Sequence, residues 1–356
     1  MVEQENFSEK PIIKVVGVGG GGGNAINRMI ENDVKGVEFI SINTDSQVLR
    51  LSKSEYRMQI GKQLTKGLGA GADPSVGEKA AIENEEEIKD LLRGSNMVFV
   101  TAGMGGGTGT GAAPIVAKIS QELGCLTVAI VTKPFTFEGK RRMQQAEEGI
   151  EKLRQYVDIL IVIPNDKILG VIEPNTSMLE AFKQVDNVLR RSVQGITEIV
   201  TIPGIINIDF ADVRKVMKCQ GTSALMGIGV GQGENRAIEA ARKAISTPLL
   251  EIDINGATQA IVFITSDVDI SFEEVMQVMN EIRSASTSEI DIVYGTGFNM
   301  DLRGELIVTV IATGYPEEDE NQKDDSNTNE DANNGEAKKI EKPSEGGKID
   351  LPKWII

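Results

Sequence analysis

Residues 97–111 read MVFVTAGMGGGTGTG, an apolar run that stops at a glycine and continues as a loop made almost entirely of glycine and threonine. Residues 12–24, IIKVVGVGGGGGN, have the same order of an apolar run followed by glycines. Windows 17–23 and 103–111 together hold 12 of the 38 glycines in the 356-residue chain. Each is followed by a helix-like run, expected at 24–32 and 112–123. Glycine lets a backbone turn tightly and approach an anion closely, and the free N–H groups and positive dipole at a helix start hold negative charge. Strand, glycine loop and helix in that order are what a phosphate cradle requires.

Working outward, apolar runs at 12–18, 38–43, 97–101, 127–132 and 159–163 alternate with helix-like stretches. Strands apolar on both faces and separated by helices predict a parallel sheet with helices on either side, an α/β, Rossmann-like domain over 11–175. Met178, Phe182, Val185, Leu189, Val193, Ile196 and Val200 then recur at steps of three and four, the spacing of one helical face. With Ser177 and Glu180 as a capping box and Pro203-Gly204 as a stop, a helix over 176–202 would span about 39 Å. Strand-like runs at 257–265 and 305–312 flank a helical stretch at 271–282, predicting a smaller mixed α/β domain over 203–315. The glycine-rich stretch 227–233 lies in that domain and predicts close packing or a bent strand. Residues 1–10 read as a flexible start. Residues 316–348 carry eleven acids against five lysines and almost no aliphatics, which predicts a disordered linker. It ends in the apolar IDLPKWII of 349–356, which reads as a docking peptide for a partner's groove.

Composition removes several chemistries. There is no histidine, so imidazole bases, Ser-His-Asp triads and HExxH zinc sites are absent. Cys125 and Cys219 have no CxxC spacing and read as reduced, buried thiols. The net charge of -16 argues against nucleic acid as a partner. The first residues lack signal-peptide character, and no apolar run approaches the ~18 residues of a membrane span, so the expectation is a soluble cytoplasmic chain without direct membrane insertion.

Two known cradles can be compared with the windows. Walker A needs GxxxxGK[ST], and neither Gly61-Lys62 nor Gly139-Lys140 satisfies it. The dinucleotide fingerprint is met by Gly17, Gly19 and Gly22, with Asp45 beyond the second strand, so an NAD(P)-dependent oxidoreductase is the alternative reading. A second cradle has no use in such an enzyme, whereas two converging cradles suit one long polyphosphate.

The loop GGGTGTG at 105–111 resembles the signature loop of the tubulin/FtsZ GTPase family. The resemblance extends to 19–24, Asn43-Thr44-Asp45, GLGAGADP at 67–74, FTFEGK at 135–140 and NIDFADV at 207–213. The terminal IDLPKWI resembles the C-terminal peptide of bacterial division members. The resemblance implies GTP and GDP as ligands, with Gly20, Gly21, Gly22, Gly23 and Asn24 on the phosphates together with Gly103, Gly105, Gly106, Gly107, Thr108 and Gly109. Asn43 and Asp45 belong to the same implied site, and Ala70 and Gly71 would lie near the γ-phosphate. Glu138 and Arg142 would contact ribose and phosphate, Asn165 and Asp186 would read guanine, and Phe182 would stack on it. Read without the family, Phe182 is core packing and Arg142 a solvated basic residue.

Neither window holds a carboxylate, so the groups that act on water must come from elsewhere, and Asp209 and Asp212 are the candidates. They follow the long helix, about 40 Å from a nucleotide at its start. Two copies stacked head to tail would bring them together, and such a heterologous contact grows into a filament. The resemblance implies this scheme, with Mg²⁺ held mainly by phosphates and water, no dedicated protein metal site, and a role in bacterial septation at mid-cell. It also implies membrane-tethering and regulatory division proteins as partners of 349–356.

Overall fold

The computed structural model describes residues 10–170, 172–173, 175–218, 222–246, 254–287 and 289–315. Residues 1–9, Cys219, the acidic linker and the terminal peptide lie outside them. The first domain contains β1 (Ile13–Val18), α1 (Gly19–Glu31), β2 (Glu38–Asn43), α2 (Ser46–Arg50), β3 (Tyr56–Gln59), α3 (Lys62–Thr65), α4 (Pro74–Glu83) and α5 (Glu85–Leu92). It continues with β4 (Met97–Gly103), α6 (Gly107–Glu122), β5 (Leu126–Lys133), α7 (Lys140–Arg154), β6 (Ile159–Pro164) and α8 (Asn165–Leu169). The long helix is α9 (Met178–Thr201). After it come α10 (Phe210–Met217), β7 (Thr222–Ser223), β8 (Leu225–Gly231), α11 (Arg236–Ile245), β9 (Gln259–Ser266), α12 (Phe272–Ala285), β10 (Asp291–Phe298) and β11 (Leu306–Thr313).

The first sheet has seven strands in the order β3-β2-β1-β4-β5-β6-β7, all parallel. Its interior strands are the apolar runs of the sequence, and helices cover both faces. The chain leaves β1 towards β2 on one side and β4 towards β5 on the other, so neighbours β1 and β4 form the switch point where such sheets open a crevice at their carboxyl ends. Both glycine windows emerge there, with Val18 beside Ala102. The second sheet, β10-β9-β11-β8, is mixed: β10 and β9 are parallel and the other pairs antiparallel.

Helix α9 runs from the crevice to the opposite end of the first sheet, where Thr201 packs on Gly36 in the turn before β2. Leu189, Val193 and Ile196 are buried in a core shared with Val15, Phe99 and Ile130 of the first sheet and Met226, Ile261 and Phe263 of the second, while Val185 is buried in a smaller cluster with Phe135 and Ile168. One core therefore holds both domains against the same helix. Met178 and Phe182 depart from the expected buried stripe because the first turns project past this core. Ser177 caps α9 through Glu180 N, one half of the predicted capping box, while the Glu180 carboxylate accepts instead from Lys183 and Gln184. Helices α1 and α6 begin earlier than expected, inside the glycine windows, because backbone packing rather than residue propensity starts them. Stretch 227–233 is largely β8, and Cβ atoms at Gly227, Gly229 and Gly231 would collide with backbone carbonyls of Ala244, Ala240 and Arg236 in α11. Cys125 is a buried free thiol. Among the described residues no helix is long and apolar enough to cross a membrane.

Candidate functional site

The two glycine windows touch backbone to backbone. A Cβ at Gly19, whose φ is +74°, would sit 2.8 Å from Gly109 N, and one at Gly21 would sit 3.1 Å from Gly103 Cα. Both following helices start without a side-chain cap and without an acid in the first turn. By contrast, Asp45, Asp73, Ser177, Asp209 and Ser271 cap α2, α4, α9, α10 and α12. Each uncapped helix start carries backbone N–H groups that seek an acceptor, and two of them converge on one cleft of about 440 Å³. Gly20, Gly21 and Asn24 line it from the first window, and Gly103, Gly106, Gly107, Thr108 and Gly109 from the second. A Cβ at Gly20 would meet nothing within 4 Å, so this position faces the opening.

Other glycines of the windows serve packing. A Cβ at Gly22 would strike Thr101 O and one at Gly111 would strike Pro74 O, so these two let α1 and α4 close on their neighbours. At Gly105 a Cβ would lie 2.7 Å from Arg142 O, where α7 docks. At Gly107 it would lie 2.8 Å from both Ala70 Cβ and Asp73 N, so the loop before α4 leans on the second window. Within that loop Gly71 has φ +60° and faces open space. Gly23 is buried in α1 and does not line the cleft.

The other wall is chemically different. Arg142 and Glu138 form an ion pair at 2.6 Å, and Glu138 Oε1 accepts from Phe135 N at 2.9 Å. Phe182 is 36% exposed, with its ring edge-on to Phe135 at a centroid distance of 5.3 Å, leaving an aromatic surface at the cleft. Asn165 is buried at the start of α8, and its Oδ1 has no hydrogen-bond partner among the described residues. Burial pushes the Asp186 carboxyl up to about 7, with Arg28 opposing the shift and Glu31 adding to it. A buried and a half-buried acceptor beside an aromatic ring suit a flat heterocycle rich in N–H donors, and the uncapped helix starts suit its phosphates.

Asn43 and Asp45 are not brought into the cleft lining. Asp45 Oδ1 accepts from Gln47 N at 2.8 Å and Val48 N at 3.2 Å, while Asn43 Oδ1 accepts from Asp45 N at 3.2 Å. Asp45 thus serves as a helix cap outside the cleft lining and is not placed as the acidic ribose ligand of a dinucleotide site. Asp209 and Asp212 also lie away from the cleft: Asp209 caps α10 by accepting from Asp212 N at 2.7 Å. Two residues further on, Arg214 donates to Gly124 O at 2.9 Å, beyond the far end of α6, whose other end is the second cradle. The acidic loop and the cleft therefore lie towards opposite ends of the parallel sheet. Among the described residues no group of three acidic, histidine or cysteine side chains is placed to hold a metal.

Sequence reasoning missed Thr44. It does not line the cleft, but its buried hydroxyl bonds to that of Thr108 at 2.7 Å, across 64 positions of chain. Thr132, Pro134, Met104, Val185 and Leu189 complete the lining. Val185 and Leu189 were legible only as core positions.

Known proteins agree with this geometry. Residues 12–173 match the GTPase domain of the tubulin/FtsZ family, and residues 222–316 match the C-terminal domain of the FtsZ family. An empty FtsZ dimer from M. jannaschii is 45% identical, with a TM-score of 0.80 over 86% of this chain and 89% of that one. CetZ2 from Haloferax volcanii, in a GTPγS-bound protofilament, is 20% identical with a TM-score of 0.73, covering 86% of this chain and 94% of its own. CetZ1 from the same organism, a GDP-bound monomer, is 19% identical with a TM-score of 0.75, covering 86% and 95%. At such identity the two CetZ proteins speak for the fold alone. With its GTPase domain, its C-terminal domain and the 45% identity of the first relative, the chain belongs to the FtsZ family of tubulin-like GTPases.

Proposed function

We propose that this chain assembles head to tail with GTP and hydrolyses it at the junction between copies. The observation that carries the reading is the separation of the cleft from Asp209 and Asp212 at opposite ends of one sheet. A single copy cannot bring them together, whereas the next copy can. In the proposed complex, phosphates lie on the starts of α1 and α6, with Ala70 and Gly71 at the γ-phosphate. Glu138 and Arg142 hold the ribose side, Phe182 stacks on guanine, and Asn165 and Asp186 accept its N–H groups. Asp209 and Asp212 of the neighbouring copy orient and polarise the attacking water.

Mg²⁺, held by the phosphates and water rather than by side chains of this chain, would supply charge neutralisation on the phosphates. This fits windows that contain no carboxylate. Exposed Leu68, Phe137 and Leu179 near the cleft end, and exposed Ile205 and Phe272 in the other domain, offer apolar surface to such a contact. The M. jannaschii relative is a dimer, which supports self-association here. The cellular reading that follows is a cytoplasmic filament of the bacterial septal ring at mid-cell. Its peptide 349–356 docks membrane-tethering and regulatory division proteins.

Concentration tests the shared site. Activity per molecule is expected to rise with protein concentration above a threshold, and Asp212→Ala is expected to bind GTP normally while hydrolysing it about 100-fold more slowly or worse. Activity per molecule that stays constant on dilution would sink the shared-site reading.

A further inference from the structure

We infer that Thr44 is a positioning residue for phosphate binding, acting through Thr108; the inference rests on the cleft holding a nucleotide. Thr44 is fully buried at the end of β2, and its hydroxyl lies 2.7 Å from that of Thr108, which lines the cleft in the first turn of α6. In such a pair either oxygen is able to donate, but the two sites are unequal. Thr108 is the recorded partner of the Thr44 hydroxyl among the described residues, and Thr44 has no access to solvent. If Thr108 donated to it, the Thr44 proton would be buried without an acceptor, at the cost of an unmade hydrogen bond. When Thr44 donates instead, both requirements are met, because the Thr108 proton is then free to turn into the cleft towards water or an anionic oxygen. The chain of donors runs Thr44 to Thr108 to phosphate, and a hydroxyl oriented in advance loses less freedom on binding.

The same short segment also supports the loop that leans on the second cradle. Ser46 N donates to Gly67 O at 3.1 Å, and the Thr65 hydroxyl lies between Gly61 O at 3.0 Å and Thr44 O at 3.3 Å. These contacts use backbone atoms of residues 44 and 46, not the Thr44 hydroxyl, and survive its loss. Thr44→Val therefore removes the donor at nearly constant shape and leaves the loop's anchorage in place.

The test compares binding of GDP and of guanosine, which lacks phosphates, to the full chain and to Thr44→Val, Thr44→Ser, Thr108→Val and the double valine variant. Thr44→Val is expected to weaken GDP roughly two- to tenfold, the range of one hydrogen bond, without changing guanosine affinity. Thr44→Ser is expected to restore wild-type binding, and Thr44→Val is expected to add nothing in the Thr108→Val background. The role is overturned if Thr44→Val binds GDP like wild type, if guanosine weakens equally, if serine does not rescue, or if the two valine effects simply add. Wild-type chain that binds neither GDP nor GTP would overturn the nucleotide reading itself, and this role with it.

Discussion

Glycine is concentrated in two very different places, the crevice windows and strand β8. At Gly227, Gly229 and Gly231 every added Cβ would run into a carbonyl of α11, so the missing side chains are a seat for a helix. In the windows the surroundings vary from residue to residue. Gly22 and Gly111 are seats of the same kind, whereas Gly20 faces open space at the start of an uncapped helix. Glycine content by itself therefore does not mark a ligand site. An open Cβ position beside unsatisfied N–H groups does.

Alanine substitutions separate the two kinds. Gly227→Ala is expected to have the largest effect, lowering stability by about 3 kcal/mol or more, because neither the strand nor the α11 backbone is able to yield. Thermal unfolding measures it, and an unchanged midpoint would break the comparison. Gly111→Ala, inside a cradle window, is expected to destabilise by about 1–3 kcal/mol through the α4 contact, and to weaken GDP binding only as far as it unfolds the protein. Direct loss of affinity in the folded fraction would move Gly111 to the ligand side.

Gly20→Ala is expected to behave in the opposite way. Alanine suits a helix better than glycine by about 0.5–1 kcal/mol, so the melting midpoint is expected to stay or rise. The new methyl would stand where phosphate is proposed to bind, and GDP affinity is expected to fall about tenfold. A chain that melts lower and binds normally would reverse the assignment.

The smallest effect concerns the base end of the cleft. A guanine that donates to Asp186 needs the ionised carboxylate, whose pKa burial raises to about 7 from an ordinary 3.8. Guanosine affinity is then expected to rise roughly tenfold from pH 6 to pH 8 and level off, and Asp186→Asn is expected to flatten the profile. The sign for stability is opposite. The folded empty site keeps a proton that the unfolded chain releases, so this contribution is full below about pH 3.8 and lost as pH climbs through about 7. A flat guanosine profile in the wild-type chain would remove Asp186 from base recognition.

How legible this was depended on whether the deciding physics was local. Apolar runs revealed β1, β2, β4, β5 and β6, and a three-four stripe revealed α9, because burial on both faces or along one stripe writes itself into adjacent residues. Strand β3 was missed because it is a four-residue edge strand whose Tyr56 and Arg57 are exposed. The stretch 227–233 reads as close packing or a bent strand and is a closely packed strand, although its glycines hide the alternation of side chains that would have marked β8 outright. The earlier starts of α1 and α6 were invisible for the same reason, since five successive glycines are poor helix formers until packing holds them. At the site, both cradles and the Phe182–Asp186 face were readable. The diversion of Asp45 into a cap and the Thr44–Thr108 pair were not, because each is decided by a contact that only the folded chain makes.

Under the proposed head-to-tail assembly, the opposed placement of cleft and acidic loop also has a consequence for stoichiometry. In a row of n copies joined cleft to loop there are n clefts but only n − 1 completed sites, so one terminal copy always holds a nucleotide that no acid reaches. Hydrolysis per chain then approaches its limit as (n − 1)/n, and the row carries at one end, and only there, a nucleotide that its own assembly leaves intact.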